Sequence, residues 1–175
     1  MRFVFAIATL ALAAPAAAEV VSASANGFEV RETVPLVVPP DAAYAAFANI
    51  ADWWDPQHTY SGDSANLSLA LNPGGCLCER IPKTGGGVEH LRVAYVEPGK
   101  HIVLTGALGP LLYEAVTGVM EVQVKTIAGG SQVTLDYKAS GFAKGGAEKL
   151  ASAVDQMLAA QLKRYREYAA SRPKA

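Results

Sequence analysis

Cysteine, histidine and tryptophan are scarce in these 175 residues, with two Cys, three His and two Trp. Beyond the first residues no apolar run approaches the ~20 residues of a bilayer span. Charge of one sign is lacking too. Lys and Arg number 15 against 16 Asp and Glu, so nothing electrostatic favours nucleic acid or an anionic membrane surface. The chain has no G-x-S-x-G, no GxxxxGK, no H-E-x-x-H and no dinucleotide fingerprint, and no cofactor is expected. The "KTGGG" stretch has the residues of a phosphate loop, but it joins two strands rather than a strand to a helix.

What is present is apolar, at 51% of the residues, enough for one globular domain with a sizeable core. The start, "MRFVFAIATLALAAPAAAEV", has Arg2, an apolar run from Phe3 to Ala14 and the small residues Ala16-Ala17-Ala18 before Glu19. That is the pattern of a secretory signal peptide over residues 1–18. Its removal takes Arg2 from the 15 basic residues and none of the 16 acidic ones, moving the net charge from −1 to −2. No integral membrane segment is expected after cleavage. Secretion across the inner membrane is expected, and a Gram-negative host would place the protein in the periplasm, where a thiol pair can persist as a disulfide.

Residues 19–26 read as a flexible polar lead, and 27–172 as a single domain. "FEVRETVPLVV" alternates like a half-buried first strand. Pro39-Pro40 stop it, Asp41 is a fair N-cap, and Ala42 to Ile50 read as a helix, closed by Trp53-Trp54. From Ser64 the period changes to two, with "NLSLAL", "CLCERI", "VEHLRVAYV", "HIVLTG", "YEAVTGVMEVQVKTI" and "SQVTLDYKAS" as strands. From about Gly146 to Ser171 an apolar stripe at three and four residues marks a long amphipathic helix, in which Asp155 and Gln161 read as solvated polar positions.

This order is α+β: a strand, two short helices, a meander and a long closing helix, about seven strands in all. With "FANIADWW" after the first strand, "NPGG" opening a later one and the apolar "GALGPL", it resembles the SRPBCC superfamily. That group includes the pollen allergen Bet v 1, START lipid-transfer domains, polyketide cyclases and Hsp90-ATPase-activator-like proteins. "WWDPQHTYSGDSANLSL" and "GGCLCE" are similar to exported bacterial members. The resemblance implies a helix-grip fold, a curved antiparallel sheet wrapped around the C-terminal helix, with a cavity that holds apolar or aromatic small molecules. In a minority of members it implies cyclisation or dehydration.

Both cysteines lie in one strand, where i and i+2 share a face. Cys76 and Cys78 are open to three readings: buried thiols, a disulfide that needs a bend because Cα atoms two apart in a strand sit roughly 6.5 to 7 Å from each other, or weak metal ligands with His90. A hairpin pairing Arg80 with His90 and Cys78 with Arg92 puts His90 and Arg92 on the cysteine face. The opposite face then carries Leu77, Glu79 and Ile81 with Glu89, Leu91, Val93 and Tyr95, and Glu79 looks into the cavity as a candidate acid or base. It can equally be a rim residue paired with Arg80 or Lys83. In "DPQHTYSGD", His58 is the second proton-transfer candidate and Tyr60 a polar anchor.

The expected function is binding of a small apolar or aromatic molecule, with Trp54 at the entrance and Leu67, Leu69, Leu91, Val93, Leu108 and Val154 as wall. The alternatives are a cyclase or dehydratase using Glu79 or His58, and a protein-interaction module. Export argues against the last as an Hsp90 co-chaperone, and no particular protein partner is indicated.

Overall fold

A computed structural model describes residues 17–172. The signal-peptide reading therefore lies, up to residue 16, outside the described residues. Two Pro-terminated or Gly-turned runs of alternating residues open the fold: β1 (Ala17–Ser24) and β2 (Gly27–Leu36). Helix α1 (Pro40–Ala48) follows, then β3 (Leu67–Leu69), β4 (Cys76–Ile81), β5 (Gly86–Glu97), β6 (His101–Gly106), β7 (Ala115–Ile127) and β8 (Gly130–Phe142). Helix α2 (Glu148–Ser171) closes the chain. All eight strands form one antiparallel curved sheet in the order β1-β2-β8-β7-β6-β5-β4-β3. Among the described residues, no helix is long and apolar enough to cross a membrane.

The sheet has eight strands rather than about seven because the supposed lead is strand: Glu19 pairs with Arg31 and Ser24 with Gly27. The β-branched Val20-Val21 suits extended backbone, and pairing there satisfies an edge of β2 that would otherwise be bare. In place of two short helices, α1 is followed by three single 3-10 turns, at Ile50–Asp52, Pro56–His58 and Ser64–Asn66. The α1 helix begins earlier than the Asp41 cap reading, with Pro40 at its first turn, where a missing N–H costs nothing.

Alternation decides which side of each strand faces inward. On β2, Phe28, Val30, Val34 and Leu36 are buried; on β8, Val133, Leu135, Tyr137 and Ala139. The α2 stripe that covers them is Ala151, Leu158, Gln161, Leu162, Tyr165 and Ala169. Tyr165 donates its hydroxyl to the Ala43 carbonyl at 2.8 Å, which locks α2 to α1.

The β4–β5 hairpin departs from the expected register. Cys76 pairs with Arg92 and Leu77 with Leu91, but Cys78 pairs with Glu89 and Glu79 with Val88, leaving His90 as an extra residue in β5. That is a β-bulge. Its effect is local: His90 and Leu91, adjacent in sequence, are both buried. A second irregularity between Val93 and Tyr95 shifts the phase again and leaves Tyr95 47% exposed. Glu89 is also exposed, ion-paired with Arg92, so neither it nor Tyr95 shares the inner face as expected. Gly106 allows β6 to lie close to the first bulge, since a Cβ there would sit 2.7 Å from the His90 carbonyl oxygen.

Candidate functional site

The bulge brings His90 to Glu79. The Glu79 side chain is fully buried on β4, and His90 Nε2 lies 3.0 Å from its Oε2. The same carboxylate accepts the backbone N–H groups of Tyr60 and Ser61. Burial pushes the Glu79 carboxyl up, but the hydrogen bonds from Ser61, Tyr60 and His90 outweigh it and hold the pKa below its ordinary value. An ionised carboxylate can only accept, so the imidazole proton sits on Nε2. In the neutral ring His90 Nδ1 is then the lone-pair nitrogen, and it is buried with no hydrogen-bond partner among the described residues.

The loop after α1 is tied down from the other side. Gln161, 1% exposed on α2, accepts the Asp55 N–H at 2.8 Å through Oε1 and contacts His58 Nδ1 at 2.7 Å through Nε2. With the oxygen already accepting, the amide nitrogen donates, so His58 Nδ1 is the acceptor and its Nε2 carries the proton. Trp54 Nε1 donates to the His58 carbonyl at 3.0 Å and fixes the same turn. Trp53 packs away from the site, its ring 5.4 Å from Phe47 and 5.3 Å from Tyr165.

A roof comes from the 3-10 turn Gly109–Tyr113. Tyr60 Oη donates to the Gly109 carbonyl at 2.9 Å, and the Tyr60 ring lies 5.8 Å from His90 and 6.3 Å from Tyr113. The root of the roof is held by Tyr137, whose hydroxyl accepts the Leu108 N–H at 3.2 Å and lies 3.3 Å from the Gly106 carbonyl.

These parts enclose a cavity of about 320 Å³, at the lower end of the usual size for small-molecule sites. Trp54, Leu67, Leu77, Leu108, Pro110 and Met157 make its apolar wall; Tyr60 and Tyr113 flank its mouth; His58 and His90 are its two imidazoles. Of the residues expected to form a site, Trp54, His58, Tyr60, Leu67 and Leu108 are brought together here. Leu91 and Val93 are sealed in the core, and Leu69 and Val154 pack against it. Glu79 stands behind His90, outside the lining, with its lone pairs occupied by three donors. That corrects its reading as a cavity acid or base, and also its reading as a rim residue.

Cys76 and Cys78 are joined in a disulfide, with Cα atoms 5.3 Å apart. They supply no thiolate, and His90 faces away from them, so the metal grouping of these three residues does not form. Among the described residues no cluster of three or more metal-ligating side chains occurs. The inward turn of His90 escaped sequence reasoning, because alternation put it on the cysteine face and only a bulge reverses that. Gln161 did leave a signal, a polar residue inside an apolar stripe.

A second, smaller space of about 210 Å³ lies between β2 and α2, bounded by Glu32, Lys163 and Arg166 among others. Glu32 is 3% exposed and faces Asp155, and Glu32 Oε1 and Asp155 Oδ1 have no hydrogen-bond partner among the described residues. Burial, and after it the Asp155 charge and hydrogen bond, push the Glu32 carboxyl up to about 8.

No family model matches the sequence, and no curated protein matches it. Solved structures do share the fold. An uncharacterised protein of Rhizobium leguminosarum superposes with a TM-score of 0.61 at 15% identity, over 89% of this chain and 98% of its own. A Rhizobium loti protein gives 0.57 at 20% identity over 81% and 95%. A Chromobacterium violaceum protein gives 0.57 at 15% over 82% and 98%. These likenesses establish an antiparallel sheet with a closing C-terminal helix, an arrangement compatible with the helix-grip fold.

Proposed function

We propose that this protein binds a small apolar or aromatic molecule in the cavity between the β3–β5 end of the sheet, the Tyr60 and Gly109 loops, and α2. The observation that carries the reading is the unfilled volume itself: about 320 Å³ walled by apolar and aromatic side chains, with two oriented imidazoles as its directional polar groups. Protein interiors pack close to crystalline density, and leaving such a void costs stability unless something fills it. Membership of the SRPBCC superfamily and export with loss of residues 1–18 belong to the same proposal. They are supported by the element order and by the N-terminal sequence pattern.

The test is titration with a neutral fluorescent probe, N-phenyl-1-naphthylamine. The expected result is saturable enhancement that unlabelled aromatic compounds reverse. Met157→Trp, which fills the wall, is expected to weaken probe binding at least ~10-fold while leaving the melting temperature within a few degrees. Absence of saturable binding across a broad set of apolar probes would remove this reading.

A further inference from the structure

His90 has the geometry of an oriented base rather than of a structural histidine. Its Nε2 is committed to a buried carboxylate at 3.0 Å, while its Nδ1 is buried, unpartnered, and belongs to a residue that lines an apolar cavity. A structural imidazole normally has both nitrogens satisfied, and an orphaned buried acceptor costs on the order of 1–3 kcal/mol. The chain spends a β-bulge on this arrangement, since regular alternation would turn His90 outward.

We propose that His90 Nδ1 is a general base that takes a proton from a ring-sized carbon acid bound in the cavity, with Glu79 as its positioning residue. The inference rests on the cavity-binding reading above. In the step, a C–H bond next to an electron-withdrawing group breaks and its hydrogen passes to Nδ1. The electron pair stays on the substrate as an enolate-type anion, and the imidazolium is balanced by the Glu79 carboxylate already bonded to Nε2. Return of the proton to a different atom completes an isomerisation without any co-reactant. His58, held by Gln161 with its proton on Nε2, has the opposite polarity and suits an acceptor oxygen of the ligand. The substrate class is therefore a small, largely apolar ring compound with a carbonyl and an acidic C–H.

The experiment uses the purified protein and 5-nitrobenzisoxazole, a carbon acid whose deprotonation at C3 cleaves its N–O bond and releases a coloured phenolate. The wild type is expected to open this ring faster than an equal concentration of free imidazole. His90→Gln is expected to lose about 10²–10⁴-fold, the range for general-base catalysis, while saturable binding of the naphthylamine probe persists. Nitrogen chemical shifts of His90 in the wild type give an activity-independent readout, with Nδ1 expected unprotonated and Nε2 protonated; in Glu79→Gln that preference is expected to weaken. Probe binding with no acceleration, a rate that survives in His90→Gln, or a proton on His90 Nδ1 would each overturn the base and leave the binding site standing. Failure of the probe to bind at all would remove both.

Discussion

Glu79 receives three hydrogen bonds on the inner face of β4, whereas Glu32, equally buried on β2, meets the second carboxyl Asp155. Their contributions to stability run in opposite directions with pH. The folded pKa of Glu79 is lowered, so its contribution is complete at neutral pH and is lost as pH falls below the ordinary value of 4.5 through the folded one. Glu32 has a folded pKa raised to about 8 from 4.5. Between those values the folded chain holds a proton that the unfolded chain releases, so stability declines as pH rises across that window and is level above it. Glu32→Gln keeps a donor for Asp155 and removes the titration. Urea unfolding at several pH values is expected to show that decline abolished, with a gain of about 1–3 kcal/mol at pH 9, where the wild type carries a buried unpaired charge.

At the scale of elements, the β4–β5 hairpin couples a covalent link to a backbone irregularity. Cys76 and Cys78 flank Leu77 directly across from the His90 bulge, and the bridge holds their Cα atoms at 5.3 Å, shorter than an extended strand sets them. The Cys76→Ser, Cys78→Ser double variant is expected to let β4 extend and the bulge relax, turning His90 away from Glu79. Closing so small a loop contributes about 1–2 kcal/mol, so a modest drop in melting temperature is expected. It should be accompanied by loss of the slowly exchanging His90 Nε2–H signal; retention of that signal would mean that the bulge is set by β5 and β6 alone.

The same hairpin marks the limit of what could be read from the amino acids. Alternation carried the inward placement of Leu67, Leu77 and Glu79, and periodicity carried Leu158, Leu162 and Tyr165 of the α2 stripe but not Ala151 or Ala169. Both signals are local. The bulge at His90 depends on which residue of β4 stands opposite, a non-local fact, so the inward-turned imidazole was hidden while its partner Glu79 was visible but placed in the cavity lining instead of behind it. Likewise Val20-Val21 looked like a tether because strand formation there needs the edge of β2 as partner, and Gln161 looked solvated because the loop that satisfies it lies 106 residues away at Asp55.

Across the whole molecule, α2 packs against β1, β2 and α1, and the cavity lies toward the other end of the sheet, between β3 to β5 and Met157 of α2. The clamped half and the hollow half share α2 and meet where Trp54 of the cavity wall lies 5.6 Å from Trp53, whereas Met157 is a wall residue outside the aromatic cluster of Phe47, Trp53 and Tyr165. The mouth of the hollow half is spanned by one bond, from Tyr60 Oη to the Gly109 carbonyl. On the binding reading proposed above, that bond acts as a gate on time rather than on affinity, opened when a molecule enters and again when it leaves. Removing the hydroxyl with Tyr60→Phe takes away about 0.5–1.5 kcal/mol from the closed state. Stopped-flow traces with the naphthylamine probe are expected to show entry and exit both accelerated about 2–10-fold, with equilibrium occupancy nearly unchanged. On that reading the residence time of a bound molecule is set by the hydroxyl of Tyr60, a lining residue whose tip reaches across the mouth.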